Sequence, residues 1–208
     1  MVEAATWPQL ILVNGPSSAG KTTLCRALQK EIVHPYLVVG FDDFILLSAE
    51  RYYLGADTAR QDESDSFTRQ GVEMVTASKP GEPPCVVARF GPAFRRLIGS
   101  MAPAVRALID GGNSVVFDHV LHDGAMHESC RTSFAGLDML QVGVRCPLPV
   151  LEARERARGD RVLGRARGLF DVVHTFLDYD VEVDTGSMST EACIKTILDA
   201  VAGRAARR

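Results

Sequence analysis

No apolar run in the 208-residue sequence approaches the roughly 20 residues that span a bilayer. Basic charge is not in excess either. The 23 Lys and Arg stand against 26 Asp and Glu, a formal net charge of −3, so no global positive field invites nucleic acid. The five cysteines (Cys25, Cys85, Cys130, Cys146 and Cys193) are odd in number, scattered, and form no C-x-x-C pair. That pattern argues against a disulfide framework or a cysteine zinc cluster and suits buried thiols in a reducing compartment. Met1 to Pro8 carries Glu3 and no Lys or Arg, and the apolar stretch behind it is too short for a signal peptide. The expectation is a cytoplasmic protein that contacts neither membrane nor nucleic acid. There is no internal repeat, no coiled-coil pattern and no guanine-reading N-K-x-D motif. The 46% apolar content is ordinary for a globular chain, whose length suits a single domain with a substantial core. Assembly into a homo-oligomer is left open.

What is present is one stretch that organises the rest. Gly15-Pro16-Ser17-Ser18-Ala19-Gly20-Lys21-Thr22 fits the phosphate-binding pattern G-x-x-x-x-G-K-[ST] without a mismatch. Gln9 to Val13 before it is a short, β-branched apolar run, and Leu24, Leu28 and Ile32 after it recur at helical spacing. Strand, glycine loop and helix together form a cradle in which backbone N–H groups and the helix start face a polyphosphate. Gly15 to Thr23 is the nucleotide-binding segment, Lys21 reaches the outer phosphates, and Thr22 offers its hydroxyl to Mg²⁺.

Further apolar runs predict strands at Tyr36–Val39, Ser114–Phe117, Leu140–Val144 and Val181–Val183, alternating with helical patterns. The helices are expected over Phe44 to about Tyr53, Pro92–Ile109 (with Pro103 kinking or dividing it), near His127–Phe134, after Pro147, and over Thr190–Val201. Such alternation implies a parallel sheet covered on both faces, with ligands beyond the carboxyl ends of its strands. Gly55 to Pro84 is the least regular region, and Lys79 to Pro84 is a plain loop ahead of a short strand at Cys85–Phe90. Its position after an acidic strand end suggests a substrate-side excursion.

Phosphoryl transfer needs a cradle, a metal, positive charge for the transition state and an oriented nucleophile. Asp118, at the end of an apolar strand, is the second Mg²⁺ candidate after Thr22. Six arginines between Arg154 and Arg167, with Arg158 and Arg161 flanking Gly159, suit a lid over the phosphates. Asp42 is the candidate base for a substrate hydroxyl, and Asp43 beside it is the competing choice; one of the pair would cap the following helix. His119, His122 and His127 lie close in sequence, but their spacing matches no familiar zinc site, and contact with substrate or solvent is expected instead.

The blocks Ile11-Leu12-Val13-Asn14 with the loop, Gly40-Phe41-Asp42, Gly91-Pro92-Ala93-Phe94-Arg95, the strand ending at Asp118, Val142 to Cys146, Ala157 to Val162 and Tyr179 to Asp184 occur in order. The chain thereby resembles chloramphenicol phosphotransferase. The resemblance implies an α/β, three-layer P-loop fold like that of nucleoside monophosphate kinases, with a five-stranded parallel sheet. It also implies ATP-dependent phosphorylation of a small-molecule hydroxyl, with Asp42 as base and Arg158 and Arg161 as lid arginines. An antibiotic of the chloramphenicol type is the acceptor that follows, with resistance by modification. Between Asp42 and Gly91 the sequence is longer and does not match, so a sugar, nucleoside or nucleotide-sugar acceptor stays open. So does, more remotely, an ATP-controlled switch without turnover.

Overall fold

A computed structural model of the protein describes residues 7–53, 69–78, 80–159 and 162–205. Five strands form the central sheet: β1 (Leu10–Asn14), β2 (Tyr36–Gly40), β5 (Ser114–His119), β6 (Met139–Arg145) and β7 (Val181–Asp184). Their spatial order is β2-β5-β1-β6-β7, and every pairing is parallel. The expected five-stranded parallel sheet is therefore present.

Alternation along the central strand explains the three layers. On β1, Ile11 and Val13 face one side, where they pack with Leu24 and Leu28 of α1 (Lys21–Glu31) and with Ile194 and Ile197 of the closing helix, Thr190–Ala205. Leu10 and Leu12 face the other side, against Ile98, Met101 and Val105 of α3 (Pro92–Asp110) and Met126 of α4 (Gly124–Ser133). All five β1 residues are buried, as a strand with helices over both faces must be.

Several expectations need adjustment. The helix after β2, α2, spans Phe41–Ile45. It therefore begins before the two aspartates, ends well before Tyr53, and is followed by a single 3-10 turn at Glu50–Tyr52. Pro103 neither kinks α3 apart nor divides it: the helix runs on for 19 residues. Pro103 has no N–H for the Gly99 carbonyl, and the Ser129 hydroxyl of α4 donates to that oxygen instead, at 3.3 Å.

The irregular stretch before Pro84 also contains a strand that periodicity does not mark, β3 (Val72–Thr76). It pairs antiparallel with β4 (Val86–Phe90) in a separate two-stranded sheet. Residues 54–68, the front of that stretch, lie outside the described residues, as does the tail from 206. The chain between β6 and β7 forms α5 (Leu148–Arg158) and the short α6 (Arg165–Phe170), and Thr190–Ala205 is α7.

Candidate active site

Strand register gathers the candidate residues on one rim. Val13 and Gly40 are both paired with Asp118, so the loop after β1, the start of α2 and the end of β5 emerge side by side. The phosphate loop itself is shaped by small residues. A Cβ on Gly15 would lie 2.5 Å from the Val144 carbonyl oxygen, so only glycine lets the loop sit this close to β6. Gly20 adopts φ 79° and Ser18 φ 64°, which turns successive peptide N–H groups toward one concave side.

Lys21 is buried and donates from Nζ to the Pro16 carbonyl at 3.0 Å, and Nζ lies 3.9 Å from Asp118 Oδ1. Thr22 Oγ1 donates to Asp118 Oδ2 at 2.6 Å. A hydroxyl and a carboxylate in contact are hard oxygen donors beside a phosphate cradle, a set that suits Mg²⁺, which takes few protein ligands alongside substrate phosphates and water. The donor chemistry at Thr22 and Asp118 therefore fits the ion.

The two aspartates of α2 stand side by side at its first turn. Asp43 Oδ2 accepts from the Gly40 N–H at 2.6 Å and so caps the helix it belongs to. Asp42 and Asp43 both line a cavity of about 400 Å³ together with Lys21, Thr22, Asp118 and Arg158, within the range of small-ligand sites. A second, more open cavity of about 570 Å³ is lined by Arg154, Thr185, Met188 and Cys193 among others. The two share Ser18, Gly20, Thr23 and Arg158, so they meet over the loop.

The arginine-rich segment divides by use. Arg154 donates to the Thr185 carbonyl oxygen at 2.7 Å and to its hydroxyl oxygen at 3.2 Å, while Thr185 Oγ1 donates to the Ala19 carbonyl at 2.7 Å. This chain of bonds ties α5 and the turn after β7 to the phosphate loop. Arg167 pairs with Glu152 at 2.6 Å. Arg158 and Arg165 line the first cavity, and Arg161 falls outside the described residues. Glycines in the left-handed region stand on either side of that gap, Gly159 with φ 68° and Gly164 with φ 96°. Buried Glu155 accepts from the Gly164 N–H at 2.7 Å and the Ala166 N–H at 2.8 Å, anchoring the start of α6 to α5.

The histidines separate. His119 is 2% exposed, stacked on Phe117 with ring centroids 4.5 Å apart, and burial depresses its pKa to about 3. It is a neutral packing group, contrary to the expectation of substrate or solvent contact. His127 stacks on Phe176 at 6.1 Å. His122 lines the first cavity.

Other participants have no place in the motif pattern. Asn14, fully buried at the end of β1, donates to the Val173 carbonyl and to Tyr179 Oη and accepts from the Leu121 N–H. Arg26 also lines the first cavity. It follows Thr22 by four residues on α1, a spacing that marks a shared helix face.

Comparison with known proteins accords with this geometry. A protein of Mycobacterium tuberculosis (strain ATCC 25618 / H37Rv), provisionally named an O-phosphotransferase, is 31% identical over 179 residues, covering 85% of this chain and 75% of that protein. An unliganded sugar kinase from Janibacter sp. HTCC2649 superposes with a TM-score of 0.62 at 15% identity, over 94% of this chain and 95% of that one. The APS kinase of Mycobacterium tuberculosis, solved with AMPPNP and APS, gives 0.57 at 14% identity over 93% and 96%. A gluconokinase from Sinorhizobium meliloti 1021 gives 0.57 at 15% over 96% and 95%. These structural likenesses establish a P-loop kinase fold. The family model for chloramphenicol phosphotransferase-like proteins matches residues 8–202, and with nearly the whole chain so covered, this phosphotransferase belongs to the chloramphenicol phosphotransferase-like family.

Proposed function

We propose that the enzyme transfers the γ-phosphate of ATP to a hydroxyl of a small molecule, with Asp42 as general base. The observation that carries this reading is that Asp42 and Asp43 both line one cavity with Lys21, Thr22 and Asp118, and that Asp43 serves there as the cap of α2. The second cavity, across the shared loop residues, is the proposed place for the nucleoside part of ATP.

In the reaction the acceptor oxygen attacks the γ-phosphorus as Asp42 takes its proton. The bond from that phosphorus to the β–γ bridging oxygen breaks, and ADP leaves in line with the incoming oxygen. Lys21 and the guanidinium groups of Arg158 and Arg161 balance the charge spread over the moving phosphoryl group. Mg²⁺ held at Thr22 and Asp118 would screen the phosphate oxygens.

Family membership favours a hydroxylated antibiotic of the chloramphenicol type as acceptor, and the sugar kinase and gluconokinase of like fold keep sugars as the second reading. Acceptor-dependent ADP release across chloramphenicol, nucleosides and sugars, in wild type and Asp42→Ala, tests the assignment. A stimulated rate is expected to fall by about 10²–10⁴-fold in the variant, with nucleotide affinity unchanged. Full turnover in Asp42→Ala would reject Asp42 as base.

A further inference from the structure

Beyond the phosphates, the first cavity has a wall built from one face of a strand. Val86, Ala88 and Phe90 of β4 all line it, as alternate residues of a strand share a face. The residues between them turn outward: Val87 is 40% exposed, and Arg89 pairs with Glu73 at the surface. Phe41, Val120 and Leu169 extend the same apolar lining. The wall is held in place from behind, because Val86 N–H donates to the Gly164 carbonyl at 3.0 Å.

His122 is set into this wall. Its ring packs on Phe90 with centroids 5.2 Å apart and on Phe41 at 6.4 Å. Nδ1 lies 3.1 Å from the Val120 carbonyl oxygen. That oxygen can only accept, so the proton sits on Nδ1 and Nε2 presents a lone pair. Nε2 is buried and has no hydrogen-bond partner among the described residues. A buried acceptor left unpaired is unfavourable, and in the lining of a binding cavity the missing donor is one a ligand supplies. Burial also lowers the pKa of His122, with nearby Arg165 acting in the same direction, which keeps the lone pair available.

We propose that His122 and the Val86–Ala88–Phe90 face form an acceptor-specificity subsite. On this arrangement the substrate lays an apolar or aromatic face on β4 and donates a hydrogen bond to His122 Nε2 from a second hydroxyl or an amide N–H. Its reacting hydroxyl meanwhile faces Asp42. The subsite rests on the kinase reading above, and it selects amphipathic alcohols over open-chain polyols.

The test reads binding apart from turnover, by saturation-transfer NMR in the presence of Mg·AMPPNP. The probes are chloramphenicol, phenylethylene glycol and gluconate at millimolar concentration. At least one aromatic probe is expected to bind and gluconate is not. His122→Phe keeps the ring packing without the acceptor atom and should weaken aromatic-probe binding about tenfold, the worth of one hydrogen bond. His122→Gln, whose amide oxygen reaches about the place of Nε2, should recover most of that loss. Ala88→Glu, which puts a charge on the wall, should abolish binding. Absence of binding by both aromatic probes, equal binding of gluconate, or unchanged affinity in His122→Phe would overturn the subsite. Should His122→Phe fail to fold, the Gln and Ala88→Glu variants decide in its place. If binding survives but no phosphate moves, the kinase reading fails and the subsite does not.

Discussion

Asn14 offers the sharpest structural prediction, because one fully buried side chain joins three segments of the site. Its Nδ2 donates at 2.7 Å to the Val173 carbonyl and at 2.8 Å to Tyr179 Oη, and its Oδ1 accepts at 2.8 Å from the Leu121 N–H. Asn14→Leu fills nearly the same space but deletes all three bonds. Tyr179 Oη still has His174 Nδ1 at 2.8 Å, whereas the Leu121 N–H loses its acceptor and the Val173 carbonyl keeps only the Tyr179 hydroxyl at 3.5 Å. One backbone N–H stranded at about 1–3 kcal/mol and one carbonyl left with a weak bond, less the apolar gain of the leucine, leave a net loss of about 1–3 kcal/mol. That is a large part of a typical stability of about 5–15 kcal/mol.

Urea unfolding with a shared slope of about 2 kcal/mol/M should show the midpoint falling by about 0.5–1.5 M. Because Leu121 precedes His122 and Asn14 precedes Gly15, nucleotide affinity should weaken as well. A midpoint within about 0.2 M of wild type would refute the claim that this residue holds the rim together.

Two further outcomes follow from the same packing. A Cβ on Gly168 would lie 2.2 Å from the Val86 carbonyl oxygen, a backbone atom that cannot give way without moving β4. Gly168→Ala should therefore cost about 1–3 kcal/mol in urea unfolding and raise KM for the acceptor more than for ATP; equal effects on both would count against β4 as the acceptor wall. Burial first, and then the charge of Arg145, lower the pKa of His174 to about 4, against about 6.5 in an unfolded chain. Between those values the unfolded chain holds a proton that the folded chain does not. Stability from this group is thus present above about pH 6.5 and falls toward pH 4, by at most about 1.4 kcal/mol per pH unit. Urea unfolding at several pH values should show a shallower acid slope in His174→Gln, and an unchanged slope would show that His174 does not set it.

Residues whose chemistry depends on local pattern are legible in the amino-acid order alone. The phosphate loop, the strand ends at Asp42 and Asp118, and the alternation behind the parallel sheet are all short-range signals. Asp42 and Asp43 cannot be separated that way, since the cap of α2 is identified by the hydrogen bond that Asp43 accepts from the Gly40 N–H, which adjacency in sequence does not announce. β3 is hidden because Val72–Thr76 alternates only weakly and its partner strand lies beyond a long Pro- and Gly-rich turn. Charge density overstates the arginine segment: Arg154 and Arg167 have structural partners in Thr185 and Glu152. Asn14, Thr185 and Glu155 act through contacts across long sequence separations or through burial, and no spacing rule announces those. His122 belongs with them, since its tautomer depends on a carbonyl whose direction is a matter of the turn after β5.

The most direct measurement follows the phosphorus. The enzyme would be incubated with Mg²⁺, ATP labelled at the γ-phosphate and each candidate acceptor, and the label then located. Transfer by the proposed route predicts label on an acceptor hydroxyl, in an amount equal to the ADP formed, and its loss in both Lys21→Met and Asp42→Ala. Label found only as inorganic phosphate whatever acceptor is present, or tight ATP binding with no transfer at all, would contradict that route and leave a nucleotide-controlled switch as the better description.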